Sequence, residues 1–461
     1  MNSPTITTVN PATGATLRSY QACTPVQVDE ALQRGHAAAA EWGRTPLPAR
    51  VAVIRRVAQQ LRDQSRPLAA LVTEEMGKPL AEAAGEVEKS AVTALYYADH
   101  AEKILADEPV HIDGANAWVS YEPVGLVLAV MPWNFPVWQV MRFVLPSLTA
   151  GNGVILKHSP NVSGCALALQ QLLLDAGLPE AVFTTLLIAE ADVPATVERL
   201  IGDERIAAVT LTGSNRAGAM VGAAAGRAAK KSVLELGGSD AFIVLDGADL
   251  QAAAKAAVKA RYSNAGQSCV CAKRFIVAAS VAQAFTELFV DGVRALVTGD
   301  PTQAATQVGP LARVDLRGVL QDQVERSIAA GAVLLAGGQA MPGDGYFYQP
   351  TVLGQVTPGM AVFDEETFGP VAAISIASDD EDVVQLANAS QFGLSVSIWS
   401  PSTQRALALA RRITTGAAFI NAITASDARL PFGGTKKSGY GRELAAAGVR
   451  EFSNIRTYWC A

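Results

Sequence analysis

The chain has 461 residues, which at roughly 100–200 residues per domain sets an expectation of two to four domains. Half of it is hydrophobic and 17% is charged, against about 25% in an ordinary soluble domain, which excludes a disordered or solvating protein. A net charge of −6 offers no basic face to nucleic acid, and five cysteines fit a reducing compartment better than a disulfide framework.

The first hundred residues read as helical. Thr24-Pro25 caps and opens a helix expected to run to about Trp42. Val51, Ile54, Val57 and Leu61 repeat at helical spacing within Leu47 to Gln64. Gly77 ends the next helix, and Leu80 to Ile104 reads as another. After Asp113 the pattern changes. Ala117 to Tyr121 and Val124 to Val130 are strand-like. Short apolar strands and helices then alternate to about Leu245, and again from Leu250 to Ile420. Such alternation indicates βαβ units and parallel sheets covered on both faces, hence an α/β fold.

The run Pro123 to Met141 carries no charge over 19 residues. Pro132 and Pro136 interrupt it where a spanning helix would have to continue, so buried elements around a loop are expected and no membrane contact. The start Met-Asn-Ser-Pro-Thr has neither a basic stretch nor an apolar core. A cytoplasmic protein is expected.

Three single residues and one cofactor-like set could carry chemistry. Cys269, three residues after Gly266, is the candidate nucleophile, with a small buried hydrophobe as its alternative reading. No CxxC pair or HExxH supports a metal. Glu235 sits in an apolar strand that stops at two glycines. It is either a general base with a raised pKa or an edge carboxylate facing water. Asn134, between prolines and aromatics, is an oxyanion donor or a plain turn residue. Thr212-Gly213-Ser214 follows a strand and opens a helix, a place for phosphate, while Lys157 ends a strand within reach of a ribose or phosphate.

Together these motifs resemble the aldehyde dehydrogenase family. In order they are PWNFP (132–136), Lys157, TGS (212–214), ELGGS (235–239), GQSC (266–269), Glu366-Thr367-Phe368-Gly369-Pro370 and PFGG (431–434). The resemblance implies two Rossmann-like parallel-sheet domains and a small β oligomerisation arm. Its implied boundaries are 1–113 and 133–235 for the NAD(P)-binding domain, 236–430 for the catalytic domain, and 114–132 with 431–461 for the arm. It implies oxidation of an aldehyde through a thioester on Cys269, with Asn134 holding the oxyanion and Glu235 activating water, and no metal. Cofactor roles fall on Trp133, Lys157, Thr212, Gly213, Ser214, Glu366 and Phe368. NAD is favoured, with NADP use expected, because Pro160 stands where a ribose-binding Glu often repels a 2′-phosphate. A homodimer or homotetramer is implied.

Among relatives the chain looks most like the short bacterial succinate-semialdehyde dehydrogenases. The resemblance gives Arg142 and Ser426 to the substrate carboxylate and makes Cys271 a possible redox partner of Cys269. Arg suits the first role, since its fork binds both carboxylate oxygens. A second Arg found in some members is replaced here by Ser263. Glutarate semialdehyde and other short aldehydes therefore stay open as substrates. An acyl-phosphate or CoA-linked reductase and a non-catalytic scaffold are the competing classes. Glu235 argues against the first, since acyl transfer to phosphate or CoA needs no water-activating base, and the intact set Cys269, Glu235 and Asn134 argues against the second.

Overall fold

The computed structural model describes residues 4–461. Two parallel sheets dominate it. The first runs in the order Gly439–Tyr440, Lys231–Glu235, Ile206–Thr212, Leu126–Met131, Gly153–His158, Phe183–Thr185. The second runs Val333–Ala336, Thr351–Gly354, Val371–Ala377, Ala272–Ala278, Asp240–Val244, Ser395–Trp399, Ala417–Ile420. Only the Gly439–Tyr440 and Val333–Ala336 edges are antiparallel.

The apolar runs form strands because both faces of each sheet are covered. In Leu126–Met131, Val127, Ala129 and Met131 pack under the helices Leu47–Asp63, Ser65–Met76 and Leu80–Ile104. Leu126, Leu128 and Val130 point the other way, toward the helices Pro25–Arg44, Val193–Gly202 and Asn215–Arg227. The second sheet repeats this. Phe242 and Val244 enter one core; Ala241, Ile243 and Leu245 enter the other. The two-residue period of a strand thus feeds two cores from one run.

The helices of the first hundred residues stand close to the expected bounds: Pro25–Arg44 with a Thr24–Gln27 capping box, Leu47–Asp63, Ser65–Met76 stopped by Gly77 at φ 79°, and Leu80–Ile104. The all-helical expectation needs one correction, because Thr5–Val9 and Thr16–Gln21 form a hairpin. Its alternation is weak, with only Ile6 and Thr8 buried, so the composition gave little strand signal. Helix Trp138–Ala150 also went unread. All 13 of its residues are buried, so it has no polar face to reveal a helical period.

The arm also needs correction. Leu126–Met131 belongs to the first sheet, and residues 435–440 pair with the two main domains. The separate three-stranded sheet consists of Glu108–Ile112, Ala115–Pro123 and Ser453–Cys460. Trp118 stacks on Tyr458 across it at 4.9 Å. No helix among the described residues is long and apolar enough to cross a membrane.

Candidate active site

Strand order in the first sheet reverses at Leu126–Met131. The chain adds two strands on one side of it, then returns to add two parallel strands and later the Gly439–Tyr440 edge on the other. Loops at the carboxyl ends of such strands diverge and leave a crevice. Pro132 to Pro136, Lys157 to Pro160 and Thr212 to Ser214 all leave these ends. They line a cleft of 870 Å³ that continues, past Trp133 and Thr212 to Ser214, into a 180 Å³ chamber bearing Asn134, Cys269, Glu366 and Phe368.

The donor set of this groove fits a dinucleotide. Helix Asn215–Arg227 turns its N-terminus toward it, capped by Ser214, whose hydroxyl accepts from Ala217 N–H at 3.3 Å. Lys157 is buried on the cleft wall, and desolvation lowers its pKa to about 8. Trp133 and Phe368 meet edge to face at 5.6 Å, at the chamber end.

The loop carrying Asn134 is braced from beneath. His158 accepts Ser159 N–H on Nδ1 at 2.9 Å, which leaves the proton on Nε2 to donate to the Pro136 carbonyl at 3.0 Å. Burial lowers its pKa to about 4, so it stays neutral. Glu86 caps the following helix, accepting from Val137 and Trp138 N–H at 2.8 and 2.9 Å. Lys78 pairs with Glu86 and lies over the Phe135 ring. Asn134 itself donates one amide hydrogen to the Gln267 carbonyl at 3.1 Å, leaving the other uncommitted.

The nucleophile loop is strained. Asn264 and Ala265 are left-handed (φ 53° and 52°), followed by Gly266 at φ 72°. Each non-glycine residue there costs about 1–2 kcal/mol. Three contacts hold the turn. Glu82 accepts Asn264 N–H at 2.7 Å, and the Asn264 amide donates to the Asn134 carbonyl at 2.8 Å and to the Gln267 carbonyl at 3.2 Å. Lys273 then donates to the carbonyls of Ser268 and Cys269, each at 3.0 Å, and pairs with Glu366 at 3.2 Å. Gly238 is required here, because a Cβ would stand 2.5 Å from the Cys269 carbonyl oxygen.

Cys269 is half-buried and opens on the chamber. Burial pushes its pKa up to about 12, while Arg142 and Lys273 pull it down. Glu235 ends its strand wholly buried, and neither carboxylate oxygen finds a donor. Desolvation lifts its pKa well above the carboxylate range. Arg142 opposes the rise and Glu443 adds to it. This removes the water-facing reading of Glu235.

A profile of the aldehyde dehydrogenase family matches residues 1–458. The chain belongs to the aldehyde dehydrogenase family. It is 50% identical over 451 residues to the Escherichia coli (strain K12) protein named succinate semialdehyde dehydrogenase NAD(P)+ Sad, covering 98% of this chain and 97% of that one. It is 46% identical to succinate-semialdehyde dehydrogenase NADP(+) 1 of Mycobacterium tuberculosis, over 99% of this chain and 100% of that one. Among solved structures, succinic semialdehyde dehydrogenase from Streptococcus pyogenes, in complex with NADP+, superposes with a TM-score of 0.95 at 37% identity, over 98% of this chain and 99% of that one.

Within this aldehyde dehydrogenase several expected residues sit differently from expectation. Arg142 does not present a free fork. It is buried in an ion pair with Glu443, donates to the Thr212 hydroxyl at 3.3 Å, and packs over the Phe432 ring. Ser426 accepts from Lys89 at 2.7 Å. Cys271 is buried, with Sγ 4.0 Å from the Ser263 carbonyl. Arg261 ties down the 366–370 segment through the carbonyls of Thr367 and Gly369.

Sequence reasoning missed the helix Leu80–Ile104 as a part of the site. Glu82, Glu86 and Lys89, spaced four and three apart, share one of its faces. That face holds Asn264, the helix after Asn134, and Ser426. Charges at helical spacing on a face next to the buried Ala83, Val87 and Ser90 were the available signal.

Proposed function

We propose that this aldehyde dehydrogenase oxidises succinate semialdehyde to succinate with NAD(P). The observation that carries the reading is the half-buried Cys269 thiol at the inner end of the dinucleotide-sized groove, within electrostatic reach of an unpaired buried carboxylate, Glu235. The substrate follows from the named relatives.

Cys269 Sγ attacks the aldehyde carbon, and its ionisation is favoured by the charges of Arg142 and Lys273. The oxyanion of the thiohemiacetal takes the second Asn134 amide hydrogen and the Cys269 backbone N–H, which has no acceptor among the described residues. NAD(P), when bound, would supply the hydride acceptor through which the thiohemiacetal becomes a thioester on Cys269. Glu235 then takes a proton from water as the water oxygen attacks the acyl carbon. The C–S bond breaks and the acid is released. Lys157, Ser159 and the Ser214-capped helix would hold the cofactor's ribose and phosphates, with Glu366 and Phe368 beside its reacting ring. No carboxylate stands at Pro160, which supports use of both NAD and NADP.

Steady-state kinetics on succinate semialdehyde, glutarate semialdehyde and butanal test the substrate. The kcat/KM for succinate semialdehyde should exceed that for butanal by about 10- to 100-fold, the value of a charge-assisted contact to the carboxylate. Equal values would sink the assignment, and parity between the two semialdehydes would widen it.

Ile455 and Trp459 are 61% and 59% exposed on the strand Ser453–Cys460. Such a surface supports a homodimer or homotetramer formed through this sheet. A solution mass equal to one 48.1 kDa chain would exclude it. The absence of any paired cysteine fits a reducing cytoplasm.

A further inference from the structure

Three cations surround Cys269: Arg142, Lys273 and Lys89. Two are neutralised, Arg142 by Glu443 and Lys273 by Glu366. Lys89 has no carboxylate within ion-pairing distance among the described residues. Its nearest acidic neighbours are committed elsewhere, Asp427 to Arg429 at 2.7 Å and Glu86 to Lys78. Its ammonium gives one hydrogen to Ser426 Oγ at 2.7 Å and lies 4.3 Å from the centroid of the Trp138 ring. Two of its three hydrogens stay uncommitted.

Its surroundings are those of a tethered anion site. Trp138, Phe432, Leu394 and Phe135 form an apolar cluster against which Cys269 and Val270 pack. Lys89 sits over this cluster, on its Trp138 member. A short aldehyde with its carbonyl at Cys269 would lay its methylenes on that wall. A distal carboxylate would then meet the one unneutralised charge.

We infer that Lys89, with the Ser426 hydroxyl, binds the distal carboxylate of the substrate, and that Arg142 does not. The Ser426 hydroxyl, while accepting from Lys89, is free to donate to a carboxylate oxygen. Arg142 acts instead within the buried set formed with Glu443 and Glu235. Burial and the neighbouring Arg142 charge lower the Lys89 pKa to about 8. An incoming carboxylate reverses that, since it favours the charged form. The inference rests on the semialdehyde reading above and names the residue behind its selectivity.

The test compares parent, Lys89→Met and Lys89→Arg on succinate semialdehyde and butanal. Methionine keeps the length and the contact with Trp138 while removing the charge. In Lys89→Met, the ratio of kcat/KM for succinate semialdehyde to that for butanal should fall about 10- to 100-fold, chiefly through KM for the semialdehyde. Succinate, as an inhibitor of butanal oxidation, should weaken about 10-fold or more, and Lys89→Arg should keep most of the preference. Equal losses on both aldehydes, or an unchanged preference, would overturn the assignment to Lys89 alone. A parent enzyme with no preference for the carboxylated aldehyde would overturn the semialdehyde reading and this inference together.

Discussion

Cys269→Ala is expected to lower kcat for aldehyde oxidation by ~10⁴-fold or more, while the thermal transition and the Kd for NAD(P)H stay near the parent's. No other thiol stands in for it. Cys271 is buried with Sγ directed at the Ser263 carbonyl, and Cys165 is buried in the core of the first domain. Removing Sγ deletes one partly exposed atom from a chamber wall and no hydrogen bond of the fold. Stability should therefore change little, in contrast to the several kcal/mol of a buried large-to-small substitution. Stopped-flow absorbance at the reduced-nicotinamide band, with calorimetry on the same preparation, checks both halves. Turnover within about 10-fold of the parent would end the covalent mechanism.

Glu235→Gln is expected to separate the two chemical stages. Thioester formation draws on Cys269, Asn134 and the cofactor, whereas its hydrolysis needs a base for water. The variant should release one equivalent of reduced cofactor per site in a burst, then turn over ~10²–10⁴-fold more slowly, with a thioester detectable by mass spectrometry. The pH response has a definite sign. Burial raises the Glu235 pKa, so the carboxyl is more protonated near neutrality than an exposed glutamate. Rising pH removes that proton, and the parent's hydrolysis rate should climb with it. The elevated Cys269 pKa drives the same trend in the acylation stage. In Glu235→Gln the burst rate should keep its rise with pH, while the steady-state rate should lose the part due to Glu235. A variant with no burst would place Glu235 before the thioester.

The sheets and most helices were legible because each strand is a short apolar run between helical periods. The loops at Asn134 and Lys157 were legible because they leave the ends of such strands. The ion pair of Arg142 was not legible, for a physical reason. Its neutralising partner, Glu443, lies in the C-terminal segment, and nothing local in the sequence signals that pairing. Lys89 was unread for a related reason. A lone lysine on a helix usually reaches water, and only the tertiary fold shows it held over Trp138 beside Ser426. The bracing of two backbone segments by His158 was not legible, because that role has no sequence motif.

The meeting of Lys89 and Ser426 spans 337 residues of chain. At about 5–20 residues per second, a ribosome needs on the order of tens of seconds between the two. Cys269 emerges inside that interval, before Glu366, Ser426 and Glu443 exist. The thiol is therefore delivered into an unfinished pocket. Its charge environment is assembled only when the last segment docks between the two sheets, which makes acquisition of activity a late, chain-length-gated event in this protein's synthesis.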